Sequence, residues 1–293
     1  MAEAHESDAR GAADEAASGA APVRRIAHLS DVHFGKISHP GVVDALVEEV
    51  NAEPFDLVVV SGDLTQRATR QQFTDARAML DRFTAPVLVV PGNHDVRAWW
   101  HDPFDRVFRS AKRFKKYITE DVTPQFTTGG LAVFGLNSAH GLTIKGGKIR
   151  PHHLEEMAAF FARQAAGDFR VLVLHHHLLR LNELGDHDIA RGARNAIAVA
   201  EASGVDLVLC GHLHRSHVAH VELAPDLVGT PGHRLVIASA GTATSSRGRG
   251  DDRQTNVYNW IDVSPEGFTV QERKYDVQTG GFEEAEVTRF DRT

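Results

Sequence analysis

The stretch Pro86-Val87-Leu88-Val89-Val90-Pro91-Gly92-Asn93-His94-Asp95 decides how this chain folds. A continuous apolar run between prolines is the pattern of a short strand buried on both faces, as in parallel sheets. Its end turns abruptly polar, with an amide, an imidazole and a carboxylate in succession. Two earlier stretches do the same. Leu57-Val58-Val59-Val60 runs into Ser61-Gly62-Asp63, and Arg25-Ile26-Ala27-His28-Leu29-Ser30 runs into Asp31-Val32-His33. Between them lie two amphipathic segments, residues 41–50, with Val43, Leu46, Val47 and Val50 on one face, and residues 70–83. Strand, helix, strand, helix, strand implies right-handed crossovers and a largely parallel sheet.

Further along, residues 99–117 mix aromatic and basic side chains and predict a helix over the sheet. Residues 125–128 and 131–136 flank Gly129-Gly130 as a hairpin. A helix around 152–164 leads into a strand at 170–174, and a helix at 195–203 leads into a strand at 206–210. Strands then dominate: 217–223, 235–239, 256–263 and 268–273. The simplest organisation is one α/β domain over residues 23–293, its second sheet contributed by the C-terminal half. Residues 1–22 are rich in Ala, Gly and acids and predict a disordered tail.

Composition narrows the function. The chain has 293 residues and a net charge of −7, of which five acids against Arg10 in the first 22 residues account for −4. The nearly balanced body offers no electrostatic footprint for a nucleic-acid duplex. One cysteine excludes an internal disulfide framework and a thiolate zinc cluster. No apolar run approaches the ~18 residues of a spanning helix. The N-terminal stretch has neither a secretory nor a transit pattern, so a cytoplasmic location is expected. A homo-oligomer is compatible with all of this. The unusual entry is 18 histidines.

Histidines and acids gather directly after strands. Asp31 and His33 follow the first, Asp63 the second, and Asn93, His94 and Asp95 the third. His175-His176-His177 follow Val171-Leu172-Val173-Leu174, and Gly211-His212-Leu213-His214 follow Leu207-Val208-Leu209-Cys210. In an open α/β sheet, ligands bind beyond the carboxyl ends of the strands. Carboxylates, a carboxamide and imidazoles suit Mn, Fe, Zn or Co. They outnumber the needs of one tetrahedral ion and suffice for two, with a carboxylate as the natural bridge. Two such ions can clamp a phosphoryl group. Each cluster alone could be an ordinary polar turn, and three consecutive histidines could be a strand end alternating in and out. Five clusters at successive strand ends make coincidence the weaker reading.

The ordered set Asp31-x-His33, Gly62-Asp63, Gly92-Asn93-His94-Asp95, His175 and Gly211-His212-x-His214 resembles the signature of the calcineurin-like metallophosphoesterases, over about residues 26–214. The resemblance implies a four-layer α/β/β/α sandwich of two mixed β-sheets flanked by helices. It implies two divalent or trivalent metal ions. Asp31, His33 and His214 would hold the first, Asp63 would bridge, and Asn93, His175 and His212 would complete the second site. A metal-activated hydroxide would attack phosphorus in line. His94 would contact the phosphate and protonate the leaving oxygen, and Asp95 would hydrogen-bond His94 and fix its tautomer. One departure stands out. Many bacterial members carry His-His-Pro-Pro where this chain has His175-His176-His177-Leu178. His175 is the expected ligand because it directly follows the strand, with His176 the alternative. The following loop, 179–194, should border the substrate.

The motif spacing is similar to bacterial members that include cyclic-nucleotide and glycerophosphodiester phosphodiesterases, so the first expectation is a small phosphodiester substrate. A phosphomonoesterase or pyrophosphatase is the alternative. It extends to lipid-linked nucleotides if Phe104, Phe108 and Phe114, with Lys112, Lys115 and Lys116, hold an acyl chain near a phosphate. A non-catalytic scaffold of this fold is a third reading, against which every motif position is filled. A DNA nuclease would need a basic surface that is lacking. Finally, Arg247-Gly248-Arg249-Gly250-Asp251-Asp252-Arg253 is either a solvated turn or a set of arginines that grip a phosphate.

Overall fold

The computed structural model describes residues 23–96, 111–140, 146–181, 184, 187–221 and 235–292. β1 (Arg24–Leu29) leads through α1 (Val42–Ala52) to β2 (Leu57–Val60), and α2 (Arg70–Leu80) leads to β3 (Val87–Val89). The three strands are parallel neighbours. Thr69 starts α2 from an extended backbone, its hydroxyl accepting from the Gln72 N–H. Gly41 enters α1 at φ 85°, a conformation that costs a side-chain-bearing residue energy. α3 (Lys112–Tyr117) follows, then the hairpin of β4 (Gln125–Thr128) and β5 (Leu131–Gly135). α4 (Pro151–Phe161) opens on a proline, whose missing N–H costs nothing at a first helical position. β6 (Phe169–Val173), α5 (Ala193–Ala202), β7 (Leu207–Cys210), β8 (His217–Val221) and β9 (Leu235–Ser239) come next. The described chain ends in β10 (Val257–Val263), β11 (Gly267–Asp276) and β12 (Gly281–Asp291).

The strands form two six-stranded mixed sheets, ordered β12-β11-β10-β1-β2-β3 and β4-β5-β6-β7-β9-β8. The period-2 alternation of side chains explains why β2 is apolar throughout. Leu57 and Val59 face the other sheet, in one layer with Ile26, Leu88, Val171, Val173 and Leu209. Val58 and Val60 face the opposite way, towards Leu46, Val50, Phe73 and Met79 of α1 and α2. α4 and α5 cover the second sheet in a third layer, where Met157, Phe161 and Ile197 meet Leu172 and Val208. The result is the expected α/β/β/α sandwich.

One expectation needs correction. The C-terminal half does not simply build the second sheet. That sheet runs from β4 to β9, and β10 returns to pair antiparallel with β1, register Ile26↔Ile261. β10 needs apolar cover on both faces: Ile261 and Val263 lie in the layer between the sheets, and Tyr258 lies in the α1–α2 layer. A place beside β1 supplies both. β12 was not expected at all. Of its apolar side chains only Phe282 is buried, so the burial pattern leaves little periodicity to read.

Most of the 99–117 segment lies outside the described residues, including Phe104 and Phe108. Phe114 is fully buried against the α1–α2 core, so it does not offer itself to an acyl chain. Among the described residues, no helix is long and apolar enough to cross a membrane.

Candidate metal centre

β1, β2 and β3 end on one side of the sandwich, and β6 and β7, adjacent in the other sheet, end beside them. The polar clusters after these five strands therefore meet. Their backbone is unusual. Asp31 (φ 51°), His33 (φ 50°), Asp63 (φ 55°), His212 (φ 74°) and His214 (φ 58°) are all left-handed. This conformation costs a non-glycine residue roughly 1–2 kcal/mol. Such strain persists where the surrounding structure enforces it, and it concentrates at functional sites. Two glycines permit the close approach. A Cβ at Gly92 would collide with Asp63 Oδ1 and the Asp63 nitrogen, and one at Gly211 with Ser30 Oγ and Asp31 Oδ2.

One cluster joins Asp31, His33, Asp63 and His214, whose ligand atoms lie within 4.8 Å of one another. Asp31 Oδ2 accepts from Ser30 Oγ at 2.7 Å and from the His212 N–H at 2.9 Å. Its other oxygen, Oδ1, is buried with no hydrogen-bond partner, 3.4 Å from His33 Nε2 and 3.4 Å from His214 Nε2. Asp63 repeats the pattern. Oδ1 accepts from the His94 N–H at 2.8 Å, while Oδ2 has no hydrogen-bond partner. Oδ2 lies 3.6 Å from His33 Nε2 and 3.4 Å from His175 Nε2. A buried acceptor without a donor is costly. Two carboxylates that each anchor one oxygen and leave the other bare among imidazoles form a donor set suited to a cation.

The second cluster lies on the far side of Asp63. His175 Nε2 is 3.1 Å from Asn93 Oδ1 and 3.3 Å from His212 Nδ1, and His212 Nδ1 is 2.9 Å from Asn93 Oδ1. His175 Nδ1 donates to the Ser61 carbonyl at 2.8 Å, which turns Nε2 inward. His33 is held likewise through Nδ1 by the Thr65 carbonyl at 3.3 Å. Of the other two histidines in the triplet, His176 bonds Ser138 Oγ through Nδ1 at 2.9 Å. Its Nε2 is buried without a partner, near His175 and His212. His177 turns instead towards Ser239 Oγ and Cys210. His175 is therefore the triplet member within 4 Å of Asp63.

Electrostatics agree with the geometry. Burial works to raise Asp31 and Asp63, but the surrounding histidines outweigh it and hold both below the usual carboxylate range. The carboxylates call for positive charge: despite burial, Asp63 and Asp31 push His175 up to about 9. Burial moves His212 down to about 4 and His214 down to about 3, leaving neutral imidazoles whose lone pairs are available at pH 7.

His94 stands at the edge of this group. Its Nδ1 lies 2.8 Å from the Gln66 carbonyl and its Nε2 lies 3.2 Å from Arg247 Nη1. A carbonyl only accepts, so Nδ1 carries the proton and Nε2 accepts from Arg247. The expected bond from Asp95 to the His94 ring is replaced by this Gln66 contact. Asp95 is fully occupied elsewhere. Its two oxygens accept from the N–H groups of Gly92, Leu64 and Thr65 and from the Thr65 hydroxyl, at 2.9–3.1 Å. Asp95 thus ties the loop after β2 to the loop after β3. Gln66, Ser30 and Thr65 escaped the sequence reading, because a glutamine or serine in a polar loop carries no signal of its own. Arg247 was among the residues singled out, and the loop after β9 brings it to His94.

A cleft of about 470 Å³ opens over the centre. Asp63, Asn93, His94, His212 and His214 line it, and the 179–194 loop contributes Arg180, Leu184, His187 and Asp188.

Comparisons with known proteins agree with this architecture. The family model for calcineurin-like phosphoesterase matches residues 24–216. A 3',5'-cyclic adenosine monophosphate phosphodiesterase of Haemophilus influenzae is 23% identical over 206 residues, which cover 66% of this chain and 71% of that protein. The protein of the same description in Escherichia coli K12 is 26% identical over 204 residues, covering 65% and 70%. Among solved structures, a dimetal phosphatase from Danio rerio superposes with a TM-score of 0.63 at 13% identity, covering 93% of this chain and all of that one. That likeness shows the fold. By motif order, sheet topology and family match, the chain belongs to the calcineurin-like phosphoesterase family and is a metal-dependent phosphoester hydrolase.

Proposed function

We propose that this chain hydrolyses small phosphodiesters with two cations, drawn from Mn, Fe, Zn or Co, seated at the centre described above. The observation that carries the reading is Asp63 Oδ2. It has no hydrogen-bond donor and stands between His33 Nε2 at 3.6 Å and His175 Nε2 at 3.4 Å. Asp31, His33 and His214 would hold one cation, Asn93, His175 and His212 the other, with Asp63 shared. Bound there, the pair would supply Lewis acidity at a phosphoryl oxygen and lower the pKa of a water.

The chain's own residues orient the reaction. The Ser61 and Thr65 carbonyls fix the rings of His175 and His33. Arg247 Nη1 is steadied by Gln66 Oε1 at 3.1 Å, and the remaining N–H groups of the guanidinium would donate to a phosphoryl oxygen in the cleft. The Gln66 carbonyl holds His94 Nδ1–H and leaves Nε2 towards the cleft; Nε2 would first take up a proton from solvent in place of its contact with Arg247, and the imidazolium would then give that proton to the leaving alkoxide. Asp95 acts by tying the two ligand loops together rather than on the ring. Residues 23–293 act as one domain in this reading.

The curated relatives described as cyclic AMP phosphodiesterases support a diester over a monoester. The test is to reconstitute the protein with Mn²⁺ and compare bis(p-nitrophenyl) phosphate with p-nitrophenyl phosphate. A higher kcat/KM for the diester is expected. Much faster hydrolysis of the monoester would overturn the diester preference.

A further inference from the structure

The wall of the cleft outside the metal centre carries Arg180, Arg215, Arg247 and Arg249. Among the described residues, Asp188 is the one carboxylate on that wall, since Asp63 lies on the floor with the histidines. Four guanidiniums facing one exposed carboxylate make a strongly cationic pocket in a chain whose net charge is −7. A simple phosphodiester carries a single negative charge, which the cations and Arg247 already meet.

The arginines are not equivalent. Arg247 has Gln66 and His94 as partners. Arg215 and Arg249 have no hydrogen-bonded or ion-paired acceptor for their guanidiniums among the described residues; Arg215 feels Asp252 only at longer range, and Asp252 Oδ2 is engaged by the Ser216 N–H. Both are nevertheless placed by the backbone. Arg215 directly follows His214, and its guanidinium packs on Gly250, where a Cβ would come within 2.9 Å of Nε. Gly250 opens a single 3₁₀ turn, Gly250–Asp252, and the Arg249 N–H donates to the His214 carbonyl at 3.1 Å. The two arginines therefore flank His214 and face the same cleft. Guanidiniums without an acceptor beside an active centre suit a planar or tetrahedral oxyanion, which they grip in bidentate fashion. The cleft volume of about 470 Å³ holds an organic group between two such anions.

We propose that the substrate is a phosphodiester whose organic group carries a second phosphate, with Arg247 at the scissile phosphoryl and Arg215 and Arg249 gripping the second phosphate. This rests on the phosphodiesterase reading above and specifies its substrate class.

Two compounds that differ by one phosphate test it. Titration calorimetry on the Mn²⁺-loaded protein compares thymidine 3',5'-bisphosphate with thymidine 5'-phosphate. The bisphosphate should bind roughly tenfold tighter or more, the scale of a charge-assisted hydrogen bond. In the Arg215→Ala/Arg249→Ala double variant the two affinities should fall within about twofold of each other. Arg82→Ala, at an exposed arginine paired with Asp44, should keep the wild-type ratio. Equal affinities in the wild type, or a ratio that survives the double variant in a protein with an unchanged melting temperature, would overturn the proposal. A kinetic arm compares thymidine 5'-(p-nitrophenyl phosphate) with and without a 3'-phosphate, where the doubly charged ester should show the lower KM. Turnover of neither ester, with the calorimetric ratio intact, would count against the phosphodiesterase reading while upholding the second-phosphate pocket.

Discussion

Replacing Asp63 by asparagine removes one charge and little else. Asn keeps an oxygen where Asp63 Oδ1 accepts the His94 N–H, and it tolerates the left-handed backbone at φ 55° better than most residues. The size of the effect can be worked from His175. Burial alone would lower that imidazole, yet it rises from 6.5 to about 9, with Asp63 the largest favourable influence. The net rise, to which Asp31 and the Ser61 carbonyl also contribute, corresponds to roughly 3 kcal/mol for one positive charge, or about 10²-fold in an equilibrium constant. A divalent cation carries twice that charge, so the loss in affinity should be at least about 10²-fold. The assay is a competitive chelator titration with Mn²⁺, read alongside metal content by mass spectrometry. Wild type should bind two ions per chain, and Asp63→Asn at most one at the same free metal concentration. Activity should fall with metal content. Circular dichroism melting of the metal-free forms checks that the fold survives. Two ions bound to Asp63→Asn with unchanged affinity would refute the bridging role of Oδ2.

Three further outcomes are expected. His94→Ala should retain its metal content and lose roughly 10²–10⁴ in kcat, the range for a general acid; full activity by steady-state kinetics would remove His94 from the proton transfer. Gly92→Ala should lose metal although no ligand is changed, because the new Cβ collides with Asp63; wild-type metal stoichiometry would show that the loop yields. His28 is fully buried between Ser61 Oγ and Asn259 Nδ2, and burial pushes it down to about 3. The unfolded chain then binds a proton that the folded chain refuses, so stability falls as pH drops from about 6.5 towards 3. His28→Gln should flatten that limb of a urea-denaturation profile by up to ~1.4 kcal/mol per pH unit, and an unchanged slope would contradict the neutral buried ring.

The parts of this molecule that were legible beforehand share a physical cause. A strand covered on both faces, such as Leu57–Val60, must be apolar at every position, and the sequence then marks its end by the first polar residue. Asp31, Asp63, Asn93, His175 and His212 stand just beyond such ends, so their meeting follows from parallel neighbours. The return of β10 to β1 was not legible, because an apolar strand does not state which neighbour completes its cover. β12 was lost because an edge strand with one buried anchor, Phe282, has almost no pattern. The holder of the His94 ring was misassigned to Asp95, which is next in sequence. The geometry instead gives Asp95 the N–H groups of Leu64 and Thr65 and leaves His94 to the Gln66 carbonyl. Backbone partners of this kind leave no trace in side-chain identity. Nor does the left-handed conformation at Asp31, His33, Asp63, His212 and His214, where glycine would be easier but could offer no ligand atom.

The central claim is that two cations sit on either side of Asp63. Anomalous diffraction from a crystal of the Mn²⁺-loaded protein tests it most directly. Two peaks are predicted, one among Asp31, His33 and His214 and one among Asn93, His175 and His212, with Asp63 Oδ2 bound to both. A single peak, or a second ion held by His176 without Asp63, would contradict it.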